Sequence, residues 1–308
     1  MVQSKALEPK GLRFGRGIVG KHMFRIREKH IAEHLVPLMT AKAVGAAKLD
    51  VVLRGVALSP VHAGAREVGL VLPRYSWEQL HDLARVPDNL GAAPLDVDPP
   101  VEIVRLKRKW VGEQLARLES LKLLRRAPRP GRRPYLIVLA DDGSGRSLDD
   151  PDGTPGNSYV SISGGVIASG ALAKWGGPEL SFFLAAMIAE RHEAYSQAAR
   201  GKPAWPLGGG SWFRPLGWFA DRERRRPTEH VRIPFSVPTL ERGLARLEND
   251  GLVAHRHIYR SPHTGRRLSG PRNLYTNMFH TLDNPQEVLT PKAFEREIQQ
   301  PDPDSDDE

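Results

Sequence analysis

The chain has 308 residues, a formal net charge of +9 and no cysteine. That length holds roughly two domains, each able to bury a core. Disulfides and thiolate metal sites are excluded, no run of about 20 apolar residues is present to span a membrane, and the first ten residues lack a signal peptide's apolar core, so a cytoplasmic protein is expected.

In chain order, residues 1–27 form a basic arm in which Gly, Arg and Lys dominate. A helix is expected over about residues 28–39, with Ile31, Leu35 and Leu38 on one face. A second apolar helix covers about residues 40–58 and stops at Ser59-Pro60. Residues 75–86 read as a short helix capped by Ser76, with Gln79 three residues on completing a capping box. Residues 87–100 carry four prolines and read as a loop. The next helix, about residues 107–122, places Val111, Leu115 and Leu118 on one face as core. Lys109, Glu113 and Ala116 point the other way. Residues 125–140 read as a hairpin turning at Arg129-Pro130-Gly131-Arg132. Residues 141–158, rich in Asp, Gly and Pro, read as an acidic linker and a domain boundary. A strand is expected over about residues 159–162, an apolar helix over 178–197, and a short helix over about 213–225. A helix capped by Ser236 and closed by Gly251 follows over about 236–250. Its hairpin occupies residues 254–279. A final helix is expected over 291–299, and the acidic tail after it is expected to be disordered.

Leu115-Ala116-Arg117-Leu118-Glu119 recurs as Leu244-Ala245-Arg246-Leu247-Glu248, 129 residues later. The core face Val111, Leu115, Leu118 maps onto Leu240, Leu244, Leu247, and outward Glu113 and Arg117 map onto Arg242 and Arg246. Each copy continues into an Arg-rich hairpin, so a helix followed by a basic hairpin is written twice. The charge follows the same pattern. Residues 102–133 hold eleven Lys and Arg against three acids, and residues 222–272 hold twelve Arg against five acids. Five of the chain's acids lie in the last eight residues, so the rest is more basic than the net charge implies. Clustered cations of this kind imply a polyanion partner.

On that basis Lys107, Arg108, Lys109 and Arg117 of the first helix, and Ser236, Thr239, Arg242 and Arg246 of the second, are the candidates for a DNA groove. Arg129, Arg132 and Arg133 of the first hairpin, and Arg256, Arg260, Arg266, Arg267 and Arg272 of the second, are the candidates for phosphate contacts. The competing meaning of each set is a solvated charged face. Three other constellations read as ordinary structure. His30-Ile31-Ala32-Glu33-His34 matches a zinc-peptidase pattern, but over five residues only, and an amphipathic helix explains it. His255, His257 and Tyr259 share a strand face, as a Tyr-dependent nickase would need, yet Arg256 stands where such sites carry an apolar residue. Asp141, Asp142, Asp149, Asp150 and Asp152 offer carboxylates for Mg²⁺, but on a Gly/Pro-rich stretch expected to be solvated. Neither a P-loop nor a dinucleotide fingerprint is present, and no catalytic role, metal or cofactor is expected.

Carried by the paired Leu-Ala-Arg-Leu-Glu helices and the basic hairpins after them, the chain resembles the plasmid replication initiators built from two winged-helix domains. The resemblance implies a mainly α fold with small β-hairpins (α+β) and two winged helix-turn-helix domains in tandem, residues 28–140 and 159–290. Residues 1–27 are then an arm, 141–158 a linker and 291–308 a terminal helix and tail. It further implies duplex DNA as partner, repeated origin sites, a homodimer through the first domain and contact with replication machinery. Winged-helix transcription regulators share these features and form the alternative, with a Tyr-dependent rolling-circle nickase as a second. Glu113, an acid where the second copy has Arg242, would accept from cytosine or repel phosphate, so the first module is expected to read DNA weakly or to serve dimerisation. The acidic tail is expected to compete with DNA for the basic surface.

Overall fold

A computed structural model describes residues 23–41, 43–58, 70–71, 76–85, 101–130, 132–148, 158–198, 211–212, 216, 236–260, 266–279 and 282. They form helices and small antiparallel sheets, an α+β architecture. Among them no helix is long and apolar enough to cross a membrane.

Strand β1 (Met23–Arg27) pairs antiparallel with β5 (Tyr159–Ser163), setting Phe24 opposite Ile162 and Ile26 opposite Val160. All four are buried. The end of the presumed arm is therefore a strand. Its apolar alternation finds a matching partner far along the chain, which gives every second residue an inner face. From Glu28 the chain is helical through α1 (Glu28–His30), one π-helical turn (Ile31–Leu35) and α2 (Val36–Thr40). Pro37 lacks an N–H for the Glu33 carbonyl, and it sits where the wide turn hands over to α2.

Helix α3 (Val44–Ala57) is buried almost all round, and this includes Lys48, Asp50 and Arg54. Buried charges need partners. Lys48 Nζ donates to the carbonyls of Ala173 (2.9 Å) and Trp175 (2.6 Å), at the end of α7 (Ala171–Lys174). Burial brings the Lys48 pKa down to about 8, against the pull of Glu179. Asp50 accepts from Arg54 Nε (2.9 Å) and His30 Nε2 (2.7 Å), and Arg54 Nη1 donates to the Leu139 carbonyl (3.2 Å). His30 Nδ1 lies 3.0 Å from the Asp141 carbonyl oxygen, while the Asp141 carboxylate accepts from the Arg27 amide (3.1 Å) and guanidinium. Burial opposes ionisation of Asp50, but Arg54 and His30 outweigh it and hold the carboxyl below the ordinary range. One buried network thus ties β1, α1, α3 and the chain leaving the first hairpin together.

The start of the acidic stretch consequently differs from a solvated linker. Asp141 is buried because Arg27 neutralises it. Asp142 accepts from the Ser144 amide (2.9 Å) and from Arg146 (2.6 Å), Leu139 bridges to Ser147, and Leu148 is buried. Residues 149–157 lie outside the described residues, as do the loop at 87–100, the expected helix at 291–299 and the acidic tail. Of the expected helix at 213–225, only Leu216 is described, and it is buried.

A related order of elements then occurs twice, and among the described residues the first copy has one helix more than the second. After α3 come β2 (Leu70–Val71), α4 (Trp77–Ala84), α5 (Val101–Ser120) and the hairpin β3 (Leu124–Arg129) and β4 (Arg132–Val138), with sheet order β2-β4-β3. After the short α6 (Gly165–Ala168) and α7 come α8 (Gly177–Ala198), β6 (Ser211–Trp212), α9 (Val237–Asn249) and the hairpin β7 (Val253–Arg260) and β8 (Arg267–Asn277), with order β6-β8-β7. In each sheet the short strand pairs with the second hairpin strand. The expected capping box forms at α4, where Ser76 Oγ accepts from the Gln79 amide (3.1 Å) and the Gln79 side chain accepts from the Ser76 amide (2.7 Å).

Val111, Leu115 and Leu118 are buried, and so are Leu240, Leu244 and Leu247. Both helices end alike. The Leu123 amide donates to the Leu118 carbonyl (3.0 Å) and the Lys122 amide to that of Glu119 (2.9 Å). In the second copy Leu252 donates to Leu247 (2.9 Å) and Gly251 to Glu248 (2.9 Å). This paired closure needs a left-handed residue after the helix. Gly251 supplies it at φ +69°, and Lys122 is forced to φ +55°. The second unit is also packed tightly against α8. A Cβ on Gly243 would lie 2.2 Å from the Pro178 carbonyl oxygen, so only glycine fits there. Buried residues of both units, Leu53 and Leu115 with Phe183 and Tyr275 among them, belong to one contiguous core.

Two outcomes follow from this packing. Lys122→Gly removes left-handed strain and should raise stability by about 0.5–1 kcal/mol, read as a higher urea midpoint with unchanged slope; a lower midpoint would contradict the assigned backbone. The folded pKa of Asp50 lies below its ordinary 3.8, so its contribution is complete above that value and is lost as pH falls through the folded one. Asp50→Asn should cost about 3 kcal/mol at pH 7 and flatten the acid limb of the stability profile, whereas an unchanged profile would show that the network contributes nothing.

Candidate nucleic-acid interface

Helix α5 begins at Val101 rather than near Lys107, so Lys107, Arg108 and Lys109 lie past its first turn. Two of these cations face acids on α4. Lys107 Nζ is 2.7 Å from Asp82 Oδ1, and Arg108 Nε donates to Glu78. Burial opposes ionisation of Glu78, but hydrogen bonds from Ser76 and Arg108 bring its pKa down to about 2. Lys107 and Arg108 therefore hold α4 against α5, a role that differs from facing a groove. Lys109 and Arg117 are exposed, and so is Glu113 between them.

At α9, Ser236 Oγ accepts from the Thr239 amide (3.3 Å) and lies 2.6 Å from Thr239 Oγ1, so both hydroxyls are used in capping. Exposed Arg242 folds back on the helix start, with Nε donating to the Pro238 carbonyl (3.2 Å). Arg246 Nη1 donates to Glu179 Oε1 (2.6 Å), and the other Glu179 oxygen accepts from the Gly176 amide (2.9 Å). Arg246 thus joins α9 to α8 through a buried acid. The equivalent positions Glu113 and Arg242 are both exposed, which gives the two helices opposite charge at one outward point.

Each helix also grips its own hairpin by the same contact. Glu119 accepts from the Arg126 amide (3.0 Å) and Nε (2.7 Å), and Glu248 pairs with His255 Nδ1. Both partners stand seven residues after the glutamate. The Arg126 hydrogen bonds hold the Glu119 carboxyl below its ordinary range. Beyond that contact the hairpins are cationic. Arg133 is exposed, and Arg129 lies 4.3 Å from the Tyr135 ring centre. The ladder pairs Arg129 with Arg132. In the second hairpin Arg256 is half-buried and Arg260, Arg266, Arg267 and Arg272 are exposed. Residues 251–282 contain no Asp or Glu.

The short motifs have structural partners. Both ring nitrogens of His30 face oxygen acceptors, on Asp50 and Asp141, and Glu33 is exposed with Lys29 Nζ 3.8 Å away. Among the described residues no three His, Cys, Asp or Glu side chains are placed to hold a metal ion. His255 and His257 share a face, with ring centres 6.2 Å apart, but His255 is held by Glu248 and lies 6.0 Å from the ring of Tyr275. Tyr259 is exposed.

Helical periodicity alone misses Glu78, Asp82 and Glu179, because none lies on the helix whose cation it binds. A glutamate with a cation seven residues later, present in both copies, is a signal that would find the helix-to-hairpin pair. Comparison of the chain with protein-family models, with curated proteins and with solved structures gives no match.

Proposed function

We propose that the chain is a double-stranded DNA-binding protein of two winged-helix modules, acting as a plasmid-type replication initiator on repeated origin sites. The observation that carries this is the duplicated unit ending in cationic hairpins, the second of which has four exposed arginines and no acid over residues 251–282. Such a module needs a helix, a short edge strand, two helices and a hairpin, with the edge strand on the second hairpin strand; the first unit supports this with all of them, and the second with all but the middle helix among its described residues. Exposed Arg242 on α9, with Lys109 and Arg117 on α5, supplies the groove-facing cations. The hairpins supply backbone contacts and hence salt dependence. Lys107, Arg108 and Arg246 stabilise the helices that carry these groups.

Both units share one core, so once one is bound the other is already oriented and its contacts cost little further rotational freedom. No covalent step, metal or cofactor enters this reading. A homodimer and recruited replication proteins are its expected partners.

The test is selection of genomic fragments bound by the full chain at about 0.15 M salt, the physiological ionic strength. Fragments carrying several copies of one short motif in direct orientation should be enriched. Enrichment of isolated palindromes would replace the initiator reading, and recovery of no fragment would contradict DNA binding itself.

A further inference from the structure

The tip of the second hairpin is built in a way that folding alone does not explain. In β7 and β8 the ladder places Arg260 directly opposite Arg267. Directly opposed residues of an antiparallel pair have Cβ atoms about 4.5–5.5 Å apart, and like charges there are destabilising. Both arginines are exposed, and the sequence between residues 251 and 282 offers no carboxylate to separate them. In the first hairpin the ladder pairs Arg129 with Arg132, but there Arg129 is half-buried and lies over the Tyr135 ring. Each opposed pair directly follows a register shift, between Ala127 and Arg129 in one hairpin and between Ile258 and Arg260 in the other. The shift adds one residue to the second strand of the first hairpin and three to that of the second, and such an irregularity re-aims the strand end. Two hairpins of different length therefore share a bulge followed by an arginine pair.

Surface charge kept for solubility carries no such requirement, since arginines at staggered positions would serve as well without facing each other. An anion seated between the two guanidiniums removes the repulsion and gains two charge-assisted hydrogen bonds, and a phosphodiester oxygen pair suits the planar donors. We infer that the tip of the second hairpin is a two-arginine clamp for one backbone phosphate of duplex DNA, Arg260 with Arg267. The clamp presupposes DNA binding and adds where the backbone is held and by which pair. It selects no sequence, because phosphates are alike at every step.

The experiment uses the full chain and a fluorescent 30-bp duplex of mixed sequence, with affinity measured over a range of salt concentrations. In Arg260→Gln/Arg267→Gln the magnitude of the slope of log affinity against log salt should drop by about 0.9, the value for one lost phosphate contact. Arg267→Glu faces Arg260 with an acid, so its urea midpoint should hold or rise while duplex affinity falls at least tenfold. A structural role would instead lower that midpoint. A folded double Gln variant with unchanged slope, or a lowered midpoint for Arg267→Glu, would overturn the clamp while leaving DNA binding intact. A wild-type chain with no salt-dependent affinity for the duplex would remove the function and the clamp together.

Discussion

What the rest of the fold depends on is the reversal that follows each core helix. A helix ends cleanly before a hairpin only if one residue turns left-handed and the exposed carbonyls find amides. Lys122 and Gly251 occupy that position, and the carbonyls of Leu118 and Leu247 receive the same bond. The glutamate that ends each helix then grips the first hairpin strand, at Arg126 or His255. Turn and grip together fix how each hairpin leaves its helix. A lysine is strained where the turn needs glycine, so the first copy holds its geometry by the surrounding contacts.

A second constraint fastens the first unit. Arg27, His30, Asp50, Arg54 and Asp141 come from three separate stretches and satisfy one another in the interior. Removing one partner from such a set strands a buried charge, which makes the group an all-or-none fastening. The Lys48 bonds to the carbonyls of Ala173 and Trp175 reach from α3 into the second half of the chain, within one contiguous core. Charge that looks functional when read locally can therefore be spent on architecture, as at His30 or Asp141.

Local features were legible in the sequence and distant pairings were not. The faces Val111-Leu115-Leu118 and Leu240-Leu244-Leu247, the box at Ser76 and Gln79, the cap at Ser236 and the stop at Gly251 all depend on neighbours within one or two turns. Strand β1 was hidden because Phe24 and Ile26 mean little until Val160 and Ile162 face them. Asp141 read as solvated because Arg27 lies far back in the chain. Lys107 and Arg108 read as groove-facing because a helical wheel carries no information about Asp82 and Glu78 on the preceding helix. The exposed arginines of the second hairpin were legible, since no acid stands among them, but their register was not, and only the register sets Arg260 against Arg267.

Taken together, the two helices differ in outward charge while the two hairpins agree in design, which makes the hairpins the common element by which both units would meet a backbone. Hydroxyl-radical footprinting of the full chain on a selected duplex measures this most directly. Two separate protected backbone stretches are expected, one of which disappears in Arg260→Gln/Arg267→Gln while the other persists. A single protected stretch unaffected by that variant, or no protection at all, would contradict a duplicated DNA-binding unit.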